Sequence, residues 1–141
     1  MKKAVPCLLA LLLLCGCHAK EKTEMESSCN KTVMFVNAVH DADVWILPQT
    51  AANLKTTVWG AATVPKAKTG ESRQVPLCEA GDGGFYIFRM IDADGFFHSA
   101  NGIVLEAGWT VKVGGEDGVV LEVLDGDGVL QKTHEVFSAR L

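Results

Sequence analysis

The sequence predicts an all-β domain, a single antiparallel β-sandwich of about seven or eight strands. Three observations carry that reading. Short runs rich in β-branched and aromatic residues recur along residues 31–141, and Gly/Asp-rich turn clusters separate them at intervals of roughly 8–12 residues. No long stretch with a 3.6-residue apolar period appears after the first 17 residues.

The elements follow in order. "TVMFVNAV" (32–39) is the first strand, "HDAD" (40–43) a turn and "VWILPQ" (44–49) the second strand, ended by Pro48. "TAANLKTT" (50–57) suits one short helical turn, and the rest of 50–72 is punctuated by Gly60, Pro65 and Gly70. "RQVPLCEA" (73–80) reads as an edge strand, because Pro76 has no N–H to donate to a ladder. "FYIFRMID" (85–92) is apolar on both faces, which places it at the centre of a sheet. "DADG" (92–95) turns into "FFHSANGIVLEAG" (96–108), which holds one or two strands. "WTVKVG" and "VVLEVL" flank "GEDG" (115–118), and "DGDG" (125–128) joins the latter to "VLQKTHEVF" (129–137) as a hairpin. Asp-Gly suits turns that need positive φ.

Ahead of this domain lies a segment of different texture. Lys2 and Lys3 precede an apolar run from Ala4 to Cys15, interrupted only by Pro6. A run of about a dozen residues falls short of the roughly 20 needed to span a bilayer and matches the charged tip and apolar core of an export signal. Leu14-Cys15-Gly16-Cys17 then resembles the lipobox of bacterial lipoproteins. That resemblance implies cleavage before Cys17, with Leu14 in the protease's apolar subsite and Gly16 allowing close backbone approach. It also implies a diacylglyceryl thioether on Cys17 as the new N-terminus, and so attachment to a bacterial membrane. His18 stands where an aspartate would resemble an inner-membrane retention signal, which favours the outer membrane in a Gram-negative host. A plain export signal is the alternative. The organisation expected is a signal peptide at 1–16, the lipidated cysteine and a flexible tether at 17–30, and the β-sandwich at 31–141.

Five cysteines are present. Cys7 and Cys15 leave with the leader and Cys17 carries lipid, so Cys29 and Cys78 remain as a pair in an oxidising compartment, where a disulfide persists. Two free thiols are the alternative. The formal charge of −4 becomes more negative once Lys2 and Lys3 are removed, and no basic cluster follows them. Nucleic acid is a poor partner for such a surface.

Sites are few. Asp92 and Asp94, and again Asp125 and Asp127, place carboxylates two apart as calcium loops do. Position 5 is Phe96 in one and Val129 in the other, so both read as plain hairpin turns with calcium as the alternative. His40, His98 and His134 lack the spacing of a metal motif and read as strand-face or surface residues. Ser72, Ser99 and Ser138 have no base nearby in sequence, and no hydrolase motif is present. No cofactor is expected. Trp59, Phe96 and Phe97 are the candidate binding residues, while Trp45 and Trp109 fit core positions. The order Asn37, Ile46-Leu47, Trp59-Gly60, Gly70-Glu71-Ser72, Tyr86 and Asp92-Ala93-Asp94-Gly95 resembles small secreted bacterial β-sandwich proteins without an established activity. It implies the fold and no site. The function expected is a non-catalytic binding or structural module for a protein or glycan in the bacterial envelope. The alternatives are an envelope inhibitor of a hydrolase and, behind it, a small enzyme or calcium-binding module.

Overall fold

The computed structural model describes residues 29–141. The leader, Cys17 and most of the expected tether lie outside the described residues.

Among the described residues, ten strands form two five-stranded sheets. In chain order they are β1 (Lys31–Asn37), β2 (Ala42–Pro48), β3 (Val64–Ala67), β4 (Ser72–Leu77), β5 (Tyr86–Asp92), β6 (Phe96–Ile103), β7 (Thr110–Gly114), β8 (Val120–Leu124), β9 (Leu130–Glu135) and β10 (Phe137–Arg140). The first sheet runs β4-β1-β7-β8-β9 and the second β10-β6-β5-β2-β3. One five-residue helix, α1 (Ala51–Lys55), follows β2; the Thr50 side chain caps it by accepting from the Asn53 amide.

The all-β prediction holds, while the expected strand number is too low. Two strands account for the difference. β3 is only four residues long and carries Pro65, so nothing in its composition separates it from the loop around it. The run 129–137 is cut at Val136, where the chain leaves the first sheet as β9 and joins the second as β10. The stretch 96–108 holds a single strand. The sandwich is also not wholly antiparallel: β1 pairs β7 in parallel, Met34 opposite Thr110 through Asn37 opposite Val113. Parallel neighbours need a long crossover, and here five strands intervene, so no turn signal marks the pairing. As predicted, β4 lies at an edge and β5 at a centre.

Alternation along the strands aims one face of each sheet inward. Val33 and Phe35 (β1), Val75 and Leu77 (β4), Val111 and Val113 (β7), and Leu121 and Val123 (β8) meet Val44 and Ile46 (β2), Tyr86, Phe88 and Met90 (β5) and Ile103 (β6) in one core. Burying each large apolar side chain stabilises the fold by about 1.5–3 kcal/mol. Trp109 is half-buried and rests against this core. Trp45 does not join it. Its neighbours Val44 and Ile46 take the inward positions, which turns Trp45 to the outer face of the second sheet.

Two polar groups knit the core's margin. Asn37 is fully buried; its Nδ2 donates to the carbonyls of His40 and Ala67, and its Oδ1 accepts from the Val39 amide. Tyr86, also fully buried, donates its hydroxyl to the Cys78 carbonyl at 2.6 Å. Cys29 and Cys78 form a disulfide just past the end of the β1–β4 ladder, whose last pair is Lys31 opposite Leu77.

Candidate functional site

Two constellations stand out on the second sheet, one on each face. The first is a hydrogen-bonded chain at the inner margin. Asp92 closes β5, His98 lies in β6 and Ser138 in β10. Met90 stands opposite His98, and His98 opposite Ser138, so the three polar residues share a face on neighbouring strands. The imidazole Nε2 is 2.8 Å from Asp92 Oδ2, and Nδ1 is 2.7 Å from Ser138 Oγ. Asp92 Oδ1 accepts from the amides of Asp94 and Phe96, both at 3.0 Å.

Burial alone would raise the Asp92 carboxyl. The hydrogen bonds from His98 and from the Phe96 and Asp94 amides outweigh it and hold the group below the ordinary aspartate value. An ionised Asp92 can only accept, so Nε2 is the donor of that bond, and in the neutral ring Nδ1 would then accept from the Ser138 hydroxyl. Asp92 and His98 are buried, whereas Ser138 is exposed. Ser138 lines an open depression of about 450 Å3, formed with the 115–118 loop, Val120, Glu135 and Val136.

The second constellation is aromatic and lies on the outer face. The connection 49–63 folds back so that Trp59 touches Trp45 edge-on, with centroids 5.5 Å apart, and stacks on Phe97 at 5.6 Å and 14°. Trp45 Nε1 donates to the Gly60 carbonyl and Trp59 Nε1 to that of Thr56, which fixes the loop in place. Val58 beside this group is 78% exposed, and Phe137 on β10, in register with Ser99, is 64% exposed. Arg89, opposite Trp45 on β5, is buried on this face. Its Nη1 reaches the Phe88 carbonyl and Asn101 Oδ1, each at 2.9 Å, and burial lowers the guanidinium's pKa.

Of the candidate aromatic residues, the fold brings Trp59 and Phe97 together and adds Trp45. Phe96 faces the other way, as adjacent strand residues must. The Arg140 guanidinium lies 5.3 Å from its centroid and the His98 ring 6.4 Å.

The two acidic turns share one geometry. Asp125 Oδ1 accepts from the Asp127 and Val129 amides, repeating the bonds of Asp92, and its Oδ2 accepts from Gln131 Nε2. Gly95 and Gly128 adopt φ of 87° and 80°, the left-handed conformation that glycine enters without strain. Asp94 and Asp127 point outward, exposed. Among the described residues no group of three or more His, Cys, Asp or Glu side chains could hold a metal ion. His40 is exposed, and half-buried His134 is held below the usual histidine value, first by burial and then by Lys132.

The His98 constellation escapes sequence reading because Ser138 lies forty residues from His98. Only the β10–β6 pairing, itself hidden by the break at Val136, joins them. The available signal was the alternation in "FFHSA", which puts His98 on the same face as Ala100.

No helix among the described residues is long and apolar enough to cross a membrane. Comparison with known protein families, with curated proteins and with solved structures finds no match to this chain.

Proposed function

We propose that this chain is a bacterial envelope lipoprotein, anchored through lipid on Cys17, whose β domain docks a protein partner on the outer face of its second sheet. The observation that carries the docking reading is the aromatic group Trp45, Trp59 and Phe97, bordered by exposed Val58 and Phe137. The three aromatic side chains are half-buried, and apolar side chains left partly open to solvent and gathered on one face are the usual mark of an interaction site. A sugar ring needs a flat, open ring to stack upon. Here Phe97 is covered by Trp59, and Trp59 meets Trp45 at 61°, a contour better suited to protein side chains than to a glycan. The anchor is supported by Leu14-Cys15-Gly16-Cys17 at the end of an apolar leader. Two or three acyl chains on such a cysteine hold stably, where one would be reversible.

Two measurements test this. Mass spectrometry of the purified native protein should find an N-terminal Cys17 bearing acyl chains; an unprocessed Met1 or a bare thiol overturns the anchor. Photo-crosslinking from position 58 in cells should join the full chain to one envelope protein. Phe137→Asp should abolish that adduct, and an undiminished adduct overturns the docking face.

A further inference from the structure

We propose that Ser138, His98 and Asp92 form a catalytic relay, and that Ser138 is an acyl-accepting nucleophile for carboxylic esters that carry no negative charge. This inference stands apart from the docking face, which lies on the opposite side of the same sheet.

The geometry meets what an activated serine requires: nucleophile and base within hydrogen-bond reach, and the base oriented by a third group. The two links measure 2.7 and 2.8 Å. Asp92 is itself held by the amides of Asp94 and Phe96, so the imidazole has a fixed support. His98 is 4% exposed, while Ser138 is exposed and opens into the depression beside the 115–118 loop. The imidazole presents Nδ1 to the serine and Nε2 to the carboxylate. Either ring nitrogen can serve as base, so the requirement is the tautomer, which ionised Asp92 sets.

In the first step the Ser138 hydroxyl gives its proton to His98 Nδ1 as Oγ bonds to the ester's carbonyl carbon. The bond from that carbon to the alcohol oxygen then breaks, and the alcohol departs with the proton from His98. Water adds to the acyl-Ser138 as His98 takes a proton from it. The carbon–Oγ bond breaks, Ser138 regains its hydrogen, and a carboxylic acid is released. Glu116, Asp117 and Gly118 line the same depression, and in this proposal their backbone amides supply the donors for the charge that develops on the carbonyl oxygen. Glu116, Asp117 and Glu135 surround the depression with carboxylates, which repel anionic substrates.

His98 is a catalytic residue in this scheme, and Asp92 a positioning residue. The test treats the full-length chain with an uncharged fluorophosphonate probe and locates the adduct by peptide mass spectrometry. One adduct is expected, on Ser138, and none on Ser138→Ala, a change in an exposed edge-strand residue. Asp92→Asn is the discriminating variant. Its Oδ1 keeps the amide bonds of the turn, but its NH2 donates to Nε2 and drives the ring proton to Nδ1, where it blocks acceptance from Ser138. The inactivation rate constant should fall about 10²-fold or more, with the probe's binding constant unchanged and the circular dichroism melt still cooperative. Turnover of p-nitrophenyl acetate should follow the same pattern. Absence of a Ser138 adduct overturns the proposal. An adduct that forms equally fast in Asp92→Asn also overturns it, since Ser138 would then react through exposure alone.

Discussion

Replacing Cys29 and Cys78 together by serine removes the disulfide that joins the segment before β1 to the end of β4. The bridge closes a loop of about 50 residues, and constraining a loop of that length in the unfolded chain stabilises the fold by about 4 kcal/mol. The β1–β4 ladder continues to Lys31 opposite Leu77, and the Tyr86 hydroxyl still reaches the carbonyl of residue 78, so the native contacts persist without the bridge. The loss therefore lies mainly in the unfolded state. For a domain of this size it equals about 15 °C in melting temperature. Guanidinium unfolding of the full chain, wild type against the double variant, reads the difference as a shift in midpoint at nearly constant slope. A loss below about 1 kcal/mol would refute the entropic reasoning. It would mean that the segments around residues 29 and 78 stay associated after unfolding.

Other changes probe other parts of the molecule. Asn37→Ala should cost about 3 kcal/mol in a denaturant titration, because it strips buried partners from the His40 and Ala67 carbonyls and the Val39 amide. Asp125→Ala should cost about 1 kcal/mol and speed hydrogen exchange at the Asp127 and Val129 amides, whereas Asp125→Asn, which keeps an acceptor, should change little. Because folding lowers the Asp92 pKa, its contribution is complete above the ordinary aspartate value and is lost as pH falls through the lower folded value. Stability measured from about pH 5 downward should drop below about pH 4, and Asp92→Asn should flatten that part of the curve. Lys66 sits at φ of 50°, so Lys66→Gly should raise the melting temperature by relieving about 1 kcal/mol of backbone strain.

How legible the chain was depends on how local each signal is. β5 announces itself because every residue of "YIFRM" is buried, on both faces of the sheet. The two Asp-Gly hairpins are equally plain, since their hydrogen bonds close within four residues. The β1–β7 pairing and the departure of β10 are set by packing between distant segments, and no local residue type encodes them. The same holds for the sites. Trp59 and Phe97 were recognisable as aromatic residues with no assured core position, but Phe96 was grouped with them because both occur in "GFF", although the pleat sends them to opposite faces. The serine, histidine and aspartate of the inner margin come from three strands, and composition cannot show such a convergence. Trp45 was placed in the core by its apolar neighbours, yet Val44 and Ile46 had already taken the inward positions.

The arrangement of edges bears on how this molecule behaves beside copies of itself. Of the four outermost strands, β3 carries Pro65 and β4 carries Pro76, each interrupting the row of amides that a foreign strand would need. β10 is four residues long, and β9 offers Gln131, Lys132, Thr133, His134 and Glu135 along its rim. Neither sheet therefore presents a long, flat, apolar border. Molecules crowded on a surface should meet there without adding strand to strand, and so resist aggregation.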